Sequence, residues 1–371
     1  MNRYFLKIVQ PFPFREKIRI NRTILLDCKK LAVEYNVLLL FYMQLKRYLK
    51  ETGSDEVVKS FIQEEKQTIL QVVALSLPQR ALEKDVLCLL GQENIPAIVL
   101  KGSAISQDIY QNINSRTSCD IDLLIKESDV EIVDSILVNN GFIRSDPEPL
   151  PFLRYRRHHT TYLPKDSCQQ IPIEIHWSFS IPGFFNFSSQ QIWQQVEEHK
   201  DGTLKLSSQV NLIQLLMHHH MHAFKQLRNV IDLFWGIYVY DNKIDWSDFA
   251  ENIKQIGLLG TTKNTIKQIE DLWPESSKGL RGLQILKNRT NKTLFFLPVH
   301  GLIKLEPNAG PLCIKDKIIF RLALDSWDTR IFSFMKSVLP SPKIIEELYK
   351  DDNNKGMIRN YLRFIRWRFF T

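Results

Sequence analysis

The chain has 371 residues, of which 44% are hydrophobic and 24% charged, too many for one usual core and too ordinary in composition for a low-complexity or fibrous protein. Its 49 Lys+Arg against 41 Asp+Glu give a net charge of +8, which favours anionic partners but is too diffuse to mark a polynucleotide track. Five scattered cysteines (Cys28, Cys88, Cys119, Cys168, Cys313) with no Cys-x-x-Cys spacing exclude a disulfide framework or a zinc ribbon and point to reduced thiols in the cytoplasm.

Taken in order, the start Met1 to Gln10 has no long apolar core and no small-residue cleavage site, so no export signal is read. The stretch Leu31 to Tyr42 contains Glu34 and Asn36 and is too short to cross a bilayer, so no stable membrane insertion is expected. Residues 21–93 read as helical, because Leu25, Leu26, Cys28, Leu31, Ala32 and Tyr35 recur at three-to-four spacing. Ser54 reads as an N-cap before Asp55 and Glu56, Gly53 interrupts the pattern, and Pro78 marks a kink or a new helix. Residues 1–93 are therefore expected to form an N-terminal helical region.

Residues 94–187 change period. Ala97-Ile98-Val99-Leu100 reads as a short buried strand, followed by Lys101-Gly102-Ser103 and a helix over 104–112. Ser118 to Lys126 reads as a strand, 128–140 as a helix, and Gly141-Phe142-Ile143 as the start of another strand. Arg154 to Leu163 and Ile171 to Trp177 read as a hairpin turning at Pro164-Lys165-Asp166-Ser167. A mixed, mainly antiparallel sheet flanked by helices fits this order. Residues 188–294 return to helical patterns over 188–198, 209–224, 227–241, 245–257 and 260–273. The C-terminal region, 295–371, opens with a Pro- and Gly-rich crossover (Pro298, Gly301, Pro307, Gly310, Pro311) and continues with helices over 316–337 and 355–370. In the last helix Arg359, Arg363 and Arg366 lie opposite Ile358, Tyr361, Leu362, Ile365 and Phe369, which reads as an apolar side packed on the domain with the arginines in water.

The chemistry concentrates in the middle segment. In a strand, side chains two apart share a face, so Asp120 and Asp122 would project together while Ile121 and Leu123 enter the core. Adjacent carboxylates repel, and a hard divalent cation removes the repulsion. A third acid at the same alternation, Glu174, stands in Ile173-Glu174-Ile175-His176-Trp177. His176 shares its face and would orient it or touch phosphate. The run Arg154 to His159 reads as a basic strand face or a second anion site. His218 and His222 are one helical turn apart, but no His-Glu-x-x-His pattern or nearby cysteine accompanies them, so a polar stripe of His218, His222, Lys225, Asn229 and Asp232 is preferred to a zinc site. No Walker-type phosphate loop or dinucleotide-binding glycine fingerprint is present.

Val99-Leu100-Lys101-Gly102-Ser103, Arg116 and Asp120-Ile121-Asp122-Leu123-Leu124-Ile125, in that order, resemble the signature of the polymerase-β-like nucleotidyltransferase superfamily. The nearer resemblance is to its bacterial branch of nucleotidyltransferase family proteins, and it covers roughly residues 80–300. Members of that branch carry Asp-x-His-Trp where this chain has Glu174-Ile175-His176-Trp177, a swap that keeps the charge and lengthens the arm. The resemblance implies an α+β fold, with a small mixed, mainly antiparallel sheet of the nucleotidyltransferase type embedded in a largely helical protein. It implies an enzyme transferring a nucleoside monophosphate from a nucleoside triphosphate to a hydroxyl or phosphate acceptor, with two Mg2+ or Mn2+ ions. Asp120, Asp122 and Glu174 would then hold metal, Glu174 also serving as general base. Gly102 and Ser103 would cradle phosphates, with Lys101 and Arg116 adding charge, while His218, His222, Lys225 and Asp232 would close the site over nucleotide or acceptor. A non-catalytic nucleotide-binding scaffold and a toxin-like enzyme acting on tRNA or protein are the competing expectations.

Overall fold

A computed structural model of the chain describes residues 1–14, 17–165, 170–198, 202–290, 299–307, 312–338, 342–349 and 356–370. The fold is α+β: a five-stranded mixed sheet and a small two-stranded sheet sit among many helices. The five strands are β1 (Ile98–Val99), β2 (Ile121–Leu124), β3 (Phe142–Arg144), β4 (His159–Pro164) and β5 (Ile173–His176), in the order β1-β2-β5-β4-β3. β2 and β5 run parallel, and the other three pairs are antiparallel.

Alternation sorts the sheet into two faces. Ile121, Leu123, Ile173, Ile175 and Tyr162 enter a core with Val86 and Leu90 of helix Leu77–Gln92 and with Val130, Val133 and Leu137 of helix Val130–Asn139. Burying each such side chain stabilises by roughly 1.5–3 kcal/mol. On the opposite face Ile98 and Leu124 join a larger core built from helices before and after the sheet. In that core Phe5, Phe41 and Phe61 pack with Leu216, Phe234 and Phe249. Two indole N–H groups stitch it: Trp235 Nε1 donates to the Val9 carbonyl at 2.9 Å and Trp273 Nε1 to the Leu6 carbonyl at 2.8 Å. The first helix, Arg3–Val9, is capped by the Asn2 side chain.

Several helices fall where their period predicts, among them Arg22–Glu34, Leu38–Thr52, Ser208–Met221, Leu227–Tyr240, Trp246–Gln255 and Leu259–Leu272. Gly53 ends the second of these at φ +83°, and Pro78 sits in the first turn of Leu77–Gln92. The cap before Glu56–Glu64 is Asp55, whose carboxylate accepts from the Val58 N–H, and not Ser54.

Four further expectations are corrected. Arg154 to Arg156 lie in helix Leu150–Arg156, not in a strand, because Pro149 and Pro151 set up a helical first turn and the helix buries Phe152 and Leu153. The helix expected over 188–198 stops at Trp193, and the residues after it form β6 (Val196–Glu198), which pairs antiparallel with β7 (Leu204–Leu206). The strand expected from Ser118 begins at Ile121, opposite Ile173. Pro172, just before that partner, has no N–H with which to carry the ladder back. In helix Met357–Phe370 the buried side holds Phe364, 6.1 Å from the Phe152 ring, whereas Ile358 and Leu362 are exposed. Asp166 and Ser167 of the expected turn, Pro298, Gly310 and Pro311 of the expected crossover, and the side chain of Phe369 lie outside the described residues. Among the described residues no helix is long and apolar enough to cross a membrane.

Candidate active site

β2 and β5 position the acids. Their parallel register sets Asp122 opposite Glu174 and Leu124 opposite His176, so both carboxylates leave the sheet on the same face from neighbouring strands. Asp122 is only 3% exposed. Its Oδ1 accepts from Lys101 Nζ at 2.7 Å and from His176 Nε2 at 2.9 Å. The same His176 nitrogen lies 3.2 Å from Glu174 Oε2, and His159 Nε2 lies 3.8 Å from that oxygen. Burial alone would raise the Asp122 carboxyl, but Lys101 and His176 outweigh it and hold the group well below the usual carboxylate range. Glu174 follows the same logic: burial is overcome by His176 and His159, and its pKa is lowered. His176 is raised, because its hydrogen bonds to Asp122 and Glu174 outweigh its desolvation.

The glycine turn abuts the loop before β2. Gly102 has φ +55°, a conformation costly for any residue with a side chain, and a Cβ there would sit 3.4 Å from Ser118 Cβ. Ser118 Oγ in turn donates to Asp120 Oδ1 at 2.6 Å, and Gln79 Nε2 donates to the Asp120 carbonyl at 2.5 Å. Asp120 is thus oriented by its loop and not by strand alternation. Ser103 Oγ donates to both Glu83 oxygens at 2.8 and 2.9 Å. Burial pushes the Glu83 carboxyl upward, against the Ser103 hydrogen bond and the nearby Arg80. A cavity of about 910 Å³ opens beside this turn, lined among others by Glu83, Ser103, Val99 and Gln107; Asp120, Asp122 and Glu174 do not line it.

A second polar assembly buttresses the first. Arg116 Nε bonds Asp232 Oδ2 at 2.9 Å, and Tyr110 Oη donates to Asp232 Oδ1 at 2.6 Å, all in the interior. Arg116 Nη1 is buried and has no hydrogen-bond partner among the described residues. Arg228 donates to the Thr117 carbonyl at 3.1 Å and makes no ion pair among the described residues; burial and the neighbouring Arg116 lower its pKa. His218 Nδ1 lies 3.5 Å from Lys101 Nζ, and the His222 ring stands edge-on to it with centroids 4.5 Å apart.

The structure therefore gathers Lys101, Asp122, Glu174, His176, His218 and His222, with Gly102 and Ser103 on the adjoining turn and Asp120 in the loop packed against it. It does not keep the polar stripe expected across this helix pair together. The chain breaks after Met221, with Ala223 and Phe224 at positive φ, before Leu227–Tyr240 begins. Lys225, in the break, pairs with Glu306 at 2.6 Å and Asp316 at 3.0 Å. Asp232 faces Arg116, and both amide atoms of Asn229 are buried without partners among the described residues. Sequence reading missed Glu83, Tyr110 and Arg228. Only Arg228 left a signal, being one helical turn before Asp232.

A model for the family described as an uncharacterised nucleotidyltransferase matches residues 28–274. That span begins in the N-terminal helices that share the large core, well before the acids. No curated protein matches the chain.

Proposed function

The chain belongs to that uncharacterised nucleotidyltransferase family, and from this premise we propose that it transfers a nucleoside monophosphate from a nucleoside triphosphate to a hydroxyl or phosphate acceptor with divalent-metal assistance. The observation that carries the reading is the facing of Asp122 and Glu174 on adjacent parallel strands, beside a glycine turn packed on the Asp120 loop. The sheet is read as the nucleotidyltransferase type on the same ground.

The donor set fits Mg2+ or Mn2+. Asp122 and Glu174 bring carboxylate oxygens within 4.8 Å of each other, hard donors of the kind such ions combine with phosphate oxygens, and Asp120 would add a third from its loop. Asp122 already holds a cation, the Lys101 ammonium, at the oxygen a metal would share. When bound, the ions would neutralise phosphate charge and acidify the attacking hydroxyl. The chain's own residues position the substrate. The Gly102 turn has no Cβ to keep phosphate from its N–H groups. Arg116 Nη1, buried and without a hydrogen-bond partner among the described residues, and Arg228, free of any ion pair among them, would be the cationic donors to triphosphate oxygens. His218 and His222 would close the pocket above Lys101. Glu174 suits a metal ligand better than a proton acceptor, because His176 and His159 stabilise its ionised form and weaken it as a base.

Incubation with each α-labelled triphosphate, Mg2+ or Mn2+, and a metabolite or lysate fraction tests the reading. Label transfer by the parent and strongly reduced transfer by Asp120→Asn and by Asp122→Asn is expected. Equal transfer by all three removes the site. A second reading, a nucleotide-binding protein without turnover, is favoured by one observation: Asp122 is already satisfied by Lys101 and His176. It expects triphosphate binding without pyrophosphate release.

A further inference from the structure

Beside the carboxylates, on the same face, the sheet assembles a second group of donors. His158, His159 and His176 each place a ring nitrogen within 4.8 Å of the others. The ladder fixes their backbones: His159 is the register partner of His176, and the Trp177 N–H donates to the His158 carbonyl at 3.0 Å. His158 Nε2 and His159 Nδ1 stand 3.2 Å apart, close to the roughly 3.3 Å between two imidazole nitrogens sharing one tetrahedral zinc ion. His158 Nδ1 is buried and has no partner among the described residues. The rings crowd together, with centroids 4.5, 4.8 and 5.5 Å apart.

We propose that His158, His159 and His176 form a binding site for a borderline-soft divalent cation, Zn2+ or Co2+, distinct from the carboxylate site and sharing a wall with it. Three imidazoles with an open fourth position are a donor set that zinc accepts and magnesium does not. The hydrogen bonds of His176 Nε2 to Asp122 and Glu174 supply the other half of the design. A ligating imidazole that donates its second nitrogen to a carboxylate is held in one tautomer and one orientation. With Nε2 so engaged, Nδ1 of His176 carries the lone pair for the metal. On metal binding the proton between His158 Nε2 and His159 Nδ1 moves to the other nitrogen of the ring that carries it, so each imidazole stays neutral and no redox step is involved. The site does not depend on nucleotidyl transfer.

The test uses the full chain, stripped of metal, titrated with Zn2+ against a chromophoric chelator and with Co2+ by visible absorption. One ion per chain is expected, with the ligand-field bands of tetrahedral Co2+ and no thiolate charge-transfer band. His158→Gln and His159→Gln should each weaken Zn2+ binding by about 100-fold or more. Asp120→Asn should leave it unchanged even where it strongly reduces label transfer, so the two readings fail separately. Thermal melts of the metal-free variants identify any that do not fold, and either single variant suffices. Unchanged Zn2+ affinity in both folded histidine variants, a thiolate band, or no Zn2+ uptake by the parent overturns the proposal.

Discussion

Asp122 carries two cationic donors on one oxygen, Lys101 Nζ at 2.7 Å and His176 Nε2 at 2.9 Å. A carboxylate so buried is stable only while those partners remain, since an unpaired interior charge is expensive. Removing its charge while keeping its shape separates chemistry from packing. Asp122→Asn is expected to lower label transfer on the order of 10³-fold, about 4 kcal/mol of transition-state stabilisation, measured as pyrophosphate release. Folded secondary structure by circular dichroism, with transfer undiminished, would reject Asp122 as part of the machinery. Gly102 makes the second residue-scale case. At φ +55° an alanine pays about 1–2 kcal/mol of backbone strain and brings its Cβ to 3.4 Å from Ser118 Cβ. Gly102→Ala should therefore raise KM for the triphosphate and lower the melting temperature together. An unchanged KM would place the phosphates elsewhere. The acids and the glycine were legible from the sequence because each breaks a local pattern. Glu83 was not, since one acid in a helix of mixed composition carries no such mark.

At the scale of elements, helix Leu227–Tyr240 ties the helical core to the sheet's approach loop through Asp232, which holds Arg116 at 2.9 Å and Tyr110 at 2.6 Å. Breaking a buried pair from one side strands the other charge. Asp232→Ala should cost about 3–5 kcal/mol in urea unfolding, and Tyr110→Phe about 1–2 kcal/mol. A cost below that of Tyr110→Phe for the aspartate change would show that Arg116 finds another partner. The two helices of this region and a break between them were readable, but not that the break opens earlier, after Met221. Ala223 and Phe224 adopt positive φ there without a glycine to announce it. That break is why Lys225 turns to Glu306 and Asp316 and leaves the stripe. The strand reading of 154–156 fails for a related reason: two prolines in the first turn and the burial of Phe152 and Leu153 commit the segment to helix Leu150–Arg156, and only from His159 does the chain enter a strand.

Across the whole molecule, helix Ser208–Met221 buries His219 against Gln268 and His220 against Thr261, each at 2.7 Å. Burial lowers their pKa values to about 4 and about 3. Both histidines are therefore neutral when folded and take up protons near pH 6.5 when unfolded. Their contribution to stability is complete above about pH 6.5 and is lost as pH falls towards the folded values. Urea unfolding at about pH 7.5 and about pH 5 should differ by about 2 kcal/mol less in His220→Gln than in the parent. An equal pH loss in both would mean that His220 is reached by solvent.

By itself the sequence determined what depends on neighbours a few residues away: helix periods, the stop at Gly53, the helix start at Pro78, and acids alternating with apolar residues. Only the tertiary structure decided which distant groups meet. Asp122 lies opposite Glu174 because β2 and β5 pair in parallel in that one register, and a shift of a single residue would send every side chain to the other face. Lys101 reaching Asp122, Arg116 reaching Asp232 and His159 standing across from His176 depend on the same packing. Register and long-range contact are chosen by the burial of whole faces, a free energy summed over many residues that no short segment carries.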